Sequence, residues 1–282
     1  VGEGLAHTGA GLGHQGGVVL HRVGHGCGQL LLHCTFDEAG VSLRQRAQWA
    51  KGVAGCAGEG TCLRLRLRLH LAIHHHRRLL RSGIGAAVAH TLAGQGARLA
   101  VSGRNLAKLQ GLNLEKALLL PCDATDTTSL TDARQSLLAA FGGVDLVIYL
   151  AGDYVPMRAD SFDLALAEKI ISVNFNGAMR LAATVLPDLP VGGGIAFVAS
   201  VAGYRGLPKA LAYGPGKAAL IHFAECLHID LAPQGIGVWL INPGFVSTQL
   251  TAKNDFEMPA LQTPEQAAIA TVDGFKTGNF EI

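Results

Sequence analysis

The chain is short of charged and aromatic residues: 16% of its 282 residues are charged and 6% are aromatic, whereas 49% are hydrophobic. This composition is ample for a buried core, and the length allows one large domain or two small ones. No apolar run reaches the roughly eighteen residues of a membrane span, and no charged-then-apolar signal peptide opens the chain. We therefore expect a cytoplasmic protein with no membrane partner.

Cysteine is scarce in the last two thirds of the chain, where only Cys122 and Cys226 occur, so we expect no disulfide framework there. The net charge of +2 hides an asymmetry. Residues 1–81 hold ten Lys and Arg against four Asp and Glu, a net +6, while residues 82–282 hold thirteen against seventeen, a net −4. We therefore divide the chain at residue 82.

Residues 1–81 are rich in Gly, His and Arg and lack the apolar periodicity that builds helices and strands. Their most regular piece, residues 63–71 (LRLRLRLHL), alternates with period two and is compatible with a strand that carries Arg along one face. The buried first strand of a parallel sheet should instead be apolar on both faces. We therefore expect this low-complexity segment to lie outside the folded domain of residues 82–282, whose first strand and glycine loop are atypical or missing.

Two functional interpretations of the first segment stay open as alternatives. One is a zinc site, although its ligand spacings fit no usual finger, and the other is a nucleic-acid patch, although the Arg repeat lacks interleaved aromatic residues. We expect neither a metal nor nucleic acid as a partner. The candidate zinc ligands are His21, His25, Cys27, His33 and Cys34.

Residues 82–282 alternate between helical and strand-like segments, a pattern that argues for right-handed crossovers and a parallel sheet covered on both faces. We therefore expect a doubly wound, three-layer α/β fold of Rossmann type, with ligands beyond the carboxyl ends of the strands. We predict strands at residues 97–103, 117–123, 144–152, 194–200 and 237–242, and helices at 82–96, 126–141, 161–186, from 213 and from 264.

The stretch with the most chemical content is residues 200–217 (SVAGYRGLPKALAYGPGK). Residues four apart lie on one face of a helix, so Tyr213 and Lys217 can point at the same spot. A nearby ammonium favours the phenolate and lowers a phenol pKa that is ordinarily about 10. With the Ser200 hydroxyl to hold a substrate oxygen, this spacing suits acid–base chemistry on a carbonyl, although a Tyr-x-x-x-Lys pair alone recurs on any helix.

Five motifs in a common order carry a more specific resemblance. From about residue 82 to 282, the chain resembles the short-chain dehydrogenase/reductase family. The motifs are residues 150–152 (LAG), 173–177 (VNFNG), 193–203 (GGIAFVASVAG), the Tyr213–Lys217 pair and residues 242–248 (NPGFVST).

The resemblance implies an enzyme that transfers a hydride between a nicotinamide cofactor and a carbonyl or alcohol. Tyr213 would be the general acid in reduction, and Ser200 would steady the carbonyl oxygen. Lys217 would lower the Tyr213 pKa and bind the nicotinamide ribose. Asn174 would hold a water in the proton path.

The resemblance also implies which residues bind the cofactor. Gly83, Ile84 and Gly85 would open the first helix, where free N–H groups and the helix dipole favour a pyrophosphate. Arg104 would pair with a 2′-phosphate, which favours NADP(H) while leaving NAD(H) possible. Asp123 would contact the adenine, or it would merely cap a turn.

Further cofactor contacts are implied at the end of the predicted strand 144–152 and directly after the predicted strand 237–242. Tyr149 and Leu150 stand where the family has two asparagines before its Ala-Gly pair. The remaining small pair still permits close cofactor approach, and the later segment would touch the nicotinamide, with its threonine bonding the carboxamide. The residues are Ala151, Gly152, Pro243, Gly244, Val246 and Thr248.

The resemblance implies a homodimer or homotetramer. The substrate pocket would fall around residues 155–158 and 248–259. Fold alone never proves chemistry, so a catalytically impaired nucleotide-binding protein of the same fold stays an alternative, as does a nucleic-acid binder that uses the basic segment.

Residues 74–81 (HHHRRLLR) stand where the family's first strand runs into its glycine loop, with Leu79 in place of the first loop glycine. His codons are CAY, Arg codons mostly CGN and Leu codons mostly CTN. Read one nucleotide later, they permit the string IITGASSG, whose register lies two residues off Gly83. We hypothesise that the segment up to about Arg81 is an out-of-frame or mis-joined translation, which sequencing of the underlying DNA tests.

We predict that this chain binds NADP(H) poorly, and that replacing residues 74–81 by IITGASSG, with an apolar strand before it, restores stability and activity. Unpaired charges in a central strand carry a desolvation penalty of several kcal/mol each, and a pyrophosphate needs a backbone approach that glycine permits. Thermal shifts with NADPH on both proteins measure the difference. Tight binding by the unaltered chain would contradict the frame hypothesis.

Overall fold

The computed structural model describes residues 83–255 and 257–282 together with the backbone of residues 68–72. Six parallel strands form one sheet in the order β3-β2-β1-β4-β5-β6. This order is that of the doubly wound dinucleotide-binding fold, and it reverses direction between β1 and β4. The strands are β1 (Arg68–Ala72), β2 (Arg98–Gly103), β3 (Leu118–Pro121), β4 (Leu146–Tyr149), β5 (Gly194–Val198) and β6 (Gly237–Ile241).

Helices connect the strands, as the alternation in the sequence predicts. Single 3₁₀ turns lie at Ala159–Ser161, Leu186–Asp188, Val201–Gly203, Ala232–Gln234 and Thr251–Lys253. The α-helices are α1 (Ile84–Gly94), α2 (Leu106–Gln110), α3 (Thr127–Phe141), α4 (Leu164–Ile171), α5 (Gly177–Val185), α6 (Tyr213–Leu231) and α7 (Pro264–Gly274).

The core lies on both faces of the sheet. On β4, Val147 belongs to the cluster that packs with α3, α5 and α6, whereas Ile148 belongs to the cluster that packs with α1, α2 and α7. Phe197 and Ala196 of β5 divide in the same way. This period of two places every second residue on the opposite face, so the three-layer α/β prediction is confirmed.

The first strand differs from the expectation. Part of the Arg-rich repeat, Arg68–Ala72, lies at the centre of the sheet and pairs with both β2 and β4. The first strand is therefore present, and only its sequence is atypical. Backbone groups give the physical reason: without a strand at this place, the facing edges of β2 and β4 would keep unpaired N–H and C=O groups.

The rest of the first segment, including residues 1–67 and 74–81, lies outside the described residues. The candidate zinc ligands and residues 74–81 fall there, and the zinc-site, nucleic-acid and reading-frame interpretations stay untested. The predicted division at residue 82 stays a prediction, although residues 68–72 share the sheet of the following domain.

The long helix predicted over residues 161–186 is interrupted. Between α4 and α5, Ser172–Asn176 form a π-helical turn in which the N–H of Gly177 donates to the Ser172 carbonyl. Such turns occur mostly as single insertions in α-helices, frequently at functional sites. The turn contains Asn174, so the interruption lies at a predicted site residue.

Candidate active site

The predicted site residues gather at the carboxyl edge of the sheet. Gly152 follows β4, Ser200 follows β5 and Pro243 follows β6. Ligands of doubly wound sheets bind in the crevice outside this edge, where the strand order reverses. The topology therefore collects motifs that are almost a hundred positions apart in the chain into one region.

Ser200 lies near enough to Tyr213 for its hydroxyl to favour the phenolate and lower the pKa of Tyr213 in part. Ser200 is the N-cap of the 3₁₀ turn Val201–Gly203, and its Oγ accepts from the Ala202 N–H at 3.1 Å. A Cβ at Gly203 would lie 2.8 Å from the backbone carbon of Lys217, so only glycine lets this turn pack so closely on α6. That close packing brings Ser200 to the first turn of α6, where Tyr213 begins the helix.

Lys217 lies one helical turn after Tyr213 and is buried, with 3% of its surface exposed. Its Nζ donates to the Val198 carbonyl at the end of β5, at 2.8 Å, and lies 5.8 Å from the centre of the Tyr213 ring. Burial disfavours the ammonium and lowers the pKa of Lys217 to about 7. The amine is therefore only partly charged at neutral pH.

The predicted lowering of the Tyr213 pKa is wrong. Burial raises the pKa of Tyr213 above its ordinary value, and the Ser200 hydroxyl offsets only part of that effect. The physical reason is that burial penalises the charged phenolate, while Lys217, whose own pKa burial lowers to about 7, is only partly charged. At neutral pH the Tyr213 phenol keeps its proton.

Asn174 holds the loop that follows β4. Its side chain is fully buried; Oδ1 accepts from the Asp153 N–H and Nδ2 donates to the Asp153 carbonyl, both at 2.8 Å. A Cβ at Gly152 would lie 3.4 Å from Asn174 Oδ1 and 3.7 Å from Lys217 Nζ. Asn174, Gly152 and Lys217 are therefore neighbours, although the side-chain amide of Asn174 already has protein partners.

The predicted pyrophosphate site coincides with the start of α1. Gly83 is the N-cap, with φ 155°, a value that favours glycine, and Ile84 and Gly85 are the first two helical residues. Arg104 is exposed directly after β2. These four residues lie at the same edge of the sheet as Ser200.

Asp123 caps a turn, which is one of the two roles that the sequence allows for it. Its Oδ1 accepts from the N–H and the hydroxyl of Thr125, at 2.9 and 2.7 Å. These bonds fix the chain between β3 and α3. The adenine contact of Asp123 stays a prediction.

The loop after β6 contains the remaining predicted cofactor contacts. Pro243 is half-buried, and a Cβ on Gly244 would meet open space. Val246 is buried and bridges to Gln262. The Thr248 hydroxyl lies 3.3 Å from that of Thr251, the first residue of the 3₁₀ turn Thr251–Lys253.

Two tyrosines of the site were not assigned a role from the sequence. The Tyr154 ring packs edge-on against Tyr213, with 5.2 Å between ring centres. The sequence signal for Tyr154 is its position two residues after Gly152, next to a predicted cofactor contact. Tyr149 was noted only as a replaced asparagine, but its hydroxyl bonds the Val173 carbonyl beside Asn174.

A cavity of about 380 Å³ is lined by residues 157–160, 207–209 and Leu211. Its first lining residue, Met157, follows Tyr154 by three positions in the chain. The cavity includes the end of the predicted pocket segment 155–158. The other predicted segment, 248–259, reaches the same loops: Lys253 donates to the Tyr154 carbonyl, and Lys209 pairs with Asp255 at 2.5 Å.

The described residues contain neither a candidate metal site nor a candidate membrane-spanning helix. Within them, no group of three or more His, Cys, Asp and Glu side chains could hold a metal ion. None of the helices in the described part is long and apolar enough to cross a membrane.

Comparison with known proteins gives the family. The family profile described as short chain dehydrogenase matches residues 80–258. A Myxococcus xanthus protein named "Uncharacterized oxidoreductase" is 34% identical over 209 residues, which are 71% of this chain and 83% of that protein. A similarly named Staphylococcus epidermidis oxidoreductase is 32% identical over 181 residues, which are 62% of this chain and 78% of that protein.

Solved structures show the same fold. A short-chain dehydrogenase/reductase from Serratia marcescens superposes with a TM-score of 0.67 at 21% identity, covering 77% of this chain and 97% of that one. A short-chain dehydrogenase from Streptomyces avermitilis gives a TM-score of 0.67 at 22% identity, covering 77% and 87%. The chain belongs to the short-chain dehydrogenase family and is an oxidoreductase. The cofactors of this family are NAD(H) and NADP(H).

We predict a pH-dependent contribution of Lys217 to stability. Its pKa is about 7 in the folded protein against an ordinary 10.5, so folding releases a proton between these values. The unfolded chain then binds more protons, and stability rises with pH from about 7 to about 10.5. One proton corresponds to at most about a tenfold change in the folded-to-unfolded ratio per pH unit.

Denaturation of the wild type and of Lys217→Met at several pH values measures this contribution. The stability of the wild type relative to Lys217→Met should increase as pH rises through the window. Lys276→Met, at a lysine whose side chain is 59% exposed, is the matched control and should show no such trend. A pH-independent difference between wild type and Lys217→Met would contradict the shifted pKa.

Proposed function

We propose that this oxidoreductase transfers a hydride between NADP(H) and a carbonyl or alcohol substrate, using Ser200, Tyr213, Lys217 and Asn174. The observation that carries the proposal is the buried Lys217 amine, which donates to the Val198 carbonyl at 2.8 Å and lies 5.8 Å from the centre of the Tyr213 ring, one helical turn from Tyr213. All of these groups lie beyond the carboxyl ends of β4 and β5. An acid that can protonate a carbonyl oxygen, with a hydroxyl and an amine near it, suits the proton-transfer part of carbonyl reduction.

The protonation of Tyr213 suits carbonyl reduction. The Ser200 hydroxyl favours the phenolate, but burial outweighs it and leaves the pKa of Tyr213 raised. Ser200 also accepts from the Ala202 N–H, which its two lone pairs allow. The raised pKa of Tyr213 keeps the phenol protonated, the form in which it can act as an acid towards a substrate oxygen.

The described residues fit a dinucleotide. The N-terminus of α1, opened by Gly83, would hold the pyrophosphate, and Arg104 would pair with a 2′-phosphate. Gly152 lacks a Cβ where one would approach Lys217 Nζ, and Gly244 borders open space, so both leave room for a ring. The nicotinamide, when bound, supplies or accepts the hydride, and Lys217 would hold its ribose.

The substrate class follows from the acid and its setting: a small molecule with a carbonyl or hydroxyl group that reaches Tyr213. A homodimer or homotetramer is supported by apolar side chains on the outer helices. Leu164 of α4 is 61% exposed and Ile229 of α6 is 50% exposed. A cytoplasmic location remains the expectation from the sequence.

Tyr213→Phe is expected to remove nearly all turnover while cofactor binding stays within a few-fold, because the ring remains and only the hydroxyl is lost. The loss should appear in kcat, at about 10²- to 10⁴-fold. Tyr204→Phe is the matched control, since the Tyr204 side chain is exposed. A Tyr213→Phe enzyme that keeps more than about a tenth of the wild-type activity would contradict general acid catalysis by Tyr213.

Arg104→Ala is expected to weaken NADPH binding by roughly 1.5 to 3 kcal/mol, the range for a hydrogen bond to a charged group, and to leave NADH little changed. The preference for NADPH should fall about tenfold or more. Titration of both cofactors measures it, with the exposed Arg205→Ala as the control. Equal losses for both cofactors would show that Arg104 has a structural role instead.

A further inference from the structure

Tyr149 is a buried phenol that the proposed chemistry does not use. It ends β4, has none of its surface exposed, and donates its hydroxyl to the Val173 carbonyl at 2.5 Å. This bond joins the sheet to the π-helical turn Ser172–Asn176, across 24 positions of the chain. This hydrogen bond depends on a tyrosine that the chain has at a position where the family pattern has asparagine.

The accepting carbonyl belongs to the turn that departs from α-helical geometry. In an α-helix the Gly177 N–H would donate to the Val173 carbonyl four residues before it, but here it donates to Ser172. The Tyr149 hydroxyl thus supplies a donor to a carbonyl whose α-helical donor has been redirected. A polar bond of this kind in a buried place stabilises the turn against reverting to a regular helix.

Gly177 fits the same arrangement from the other side. A Cβ at Gly177 would lie 2.3 Å from Tyr149 Oη and 3.1 Å from the Ala124 carbonyl oxygen. Real Cβ atoms do not approach so closely, so the phenol and a side chain at position 177 exclude each other. The glycine therefore makes the room that the Tyr149 hydroxyl occupies.

The turn carries Asn174, the residue next to Val173. The Asn174 side chain hydrogen-bonds to both the N–H and the carbonyl of Asp153. Its Oδ1 would lie 3.4 Å from a Cβ at Gly152. Gly152 in turn borders the Lys217 amine. A shift of the π-helical turn would therefore move the loop after β4 away from Lys217.

Burial raises the pKa of Tyr149 well above its ordinary value. The phenol consequently stays protonated and remains a donor throughout the pH range of an assay. Its role in this arrangement needs the hydroxyl proton and not its loss.

We propose that Tyr149 is a positioning residue: its hydroxyl fixes the π-helical turn at Val173 and so sets Asn174 against Asp153 beside Lys217. The effect on turnover rests on the proposed function, whereas the effect on Asp153 does not. The Asp153 N–H donates to Asn174 Oδ1, so hydrogen exchange at Asp153 reports directly whether Asn174 is in place.

The first test compares the full-length wild type with Tyr149→Phe, and Tyr204→Phe serves as the matched loss of a phenol hydroxyl elsewhere. We expect exchange at Asp153 to be faster by about 3- to 10-fold in Tyr149→Phe, the fold-change for the loss of one net hydrogen bond. kcat should fall by a similar factor while KM for NADPH changes little. Tyr204→Phe should leave exchange at Asp153 unchanged.

The second test is a double-mutant cycle with Gly177→Ala. Alone, this substitution should displace the phenol and speed exchange at Asp153. In the Tyr149→Phe background it should add little, because phenylalanine has no oxygen at the occupied point, so the two effects are not additive. If Tyr149→Phe does not fold, Gly177→Ala in the wild-type background provides the same exchange measurement.

Unchanged exchange at Asp153 in either folded single variant would overturn the inference, since Tyr149 would then only fill the core. Additive effects in the cycle would overturn the shared contact of Tyr149 and Gly177. A wild type without NADPH- or NADH-dependent turnover would contradict the proposed function alone, and the exchange at Asp153 would still decide the role of Tyr149.

Discussion

A buried lysine amine bonded to the end of a central strand is the interaction on which the candidate site depends. Lys217 Nζ donates to the Val198 carbonyl, which ties the first turn of α6 to β5. Removing an amine from water is costly, and this cost appears as the lowered pKa of Lys217. This unfavourable burial occurs where Tyr213, Ser200 and Gly152 lie close to the Lys217 amine.

Small residues make that bond possible. Gly203 lets the Ser200 turn lie against the backbone of α6, and a Cβ at Gly216 would lie 3.2 Å from Ile171 Cδ1 and 3.4 Å from Asn174 Cβ. The helix with Tyr213 thus packs closely against both the Ser200 turn and the π-helical turn of Asn174. The close approach to backbone at Gly203 and the tight side-chain contacts at Gly216 therefore support a single acid–base site.

Much of this could be predicted from particular residues. The alternation of strand-like and helical segments, the helix spacing of Tyr213 and Lys217, and the order of the motifs indicate the fold, the family and the neighbourhood of the site. The central place of Arg68–Ala72 could not be predicted, because its sequence departs from the apolar pattern of a central strand while its backbone still pairs with two strands. The direction of the Tyr213 pKa could not be predicted either, because it depends on how deeply both Tyr213 and Lys217 are buried.

The sequence by itself determined the alternation of strands and helices, the family and the identity of the residues at the strand ends, because local spacing and residue type carry that information. Only the tertiary structure decided what those residues contact. The Asn174 amide bonds to Asp153, Tyr149 donates to Val173, and Lys217 faces a strand carbonyl. Burial and hydrogen-bond partners arise from segments far apart in the chain, and no local pattern encodes the distances between them.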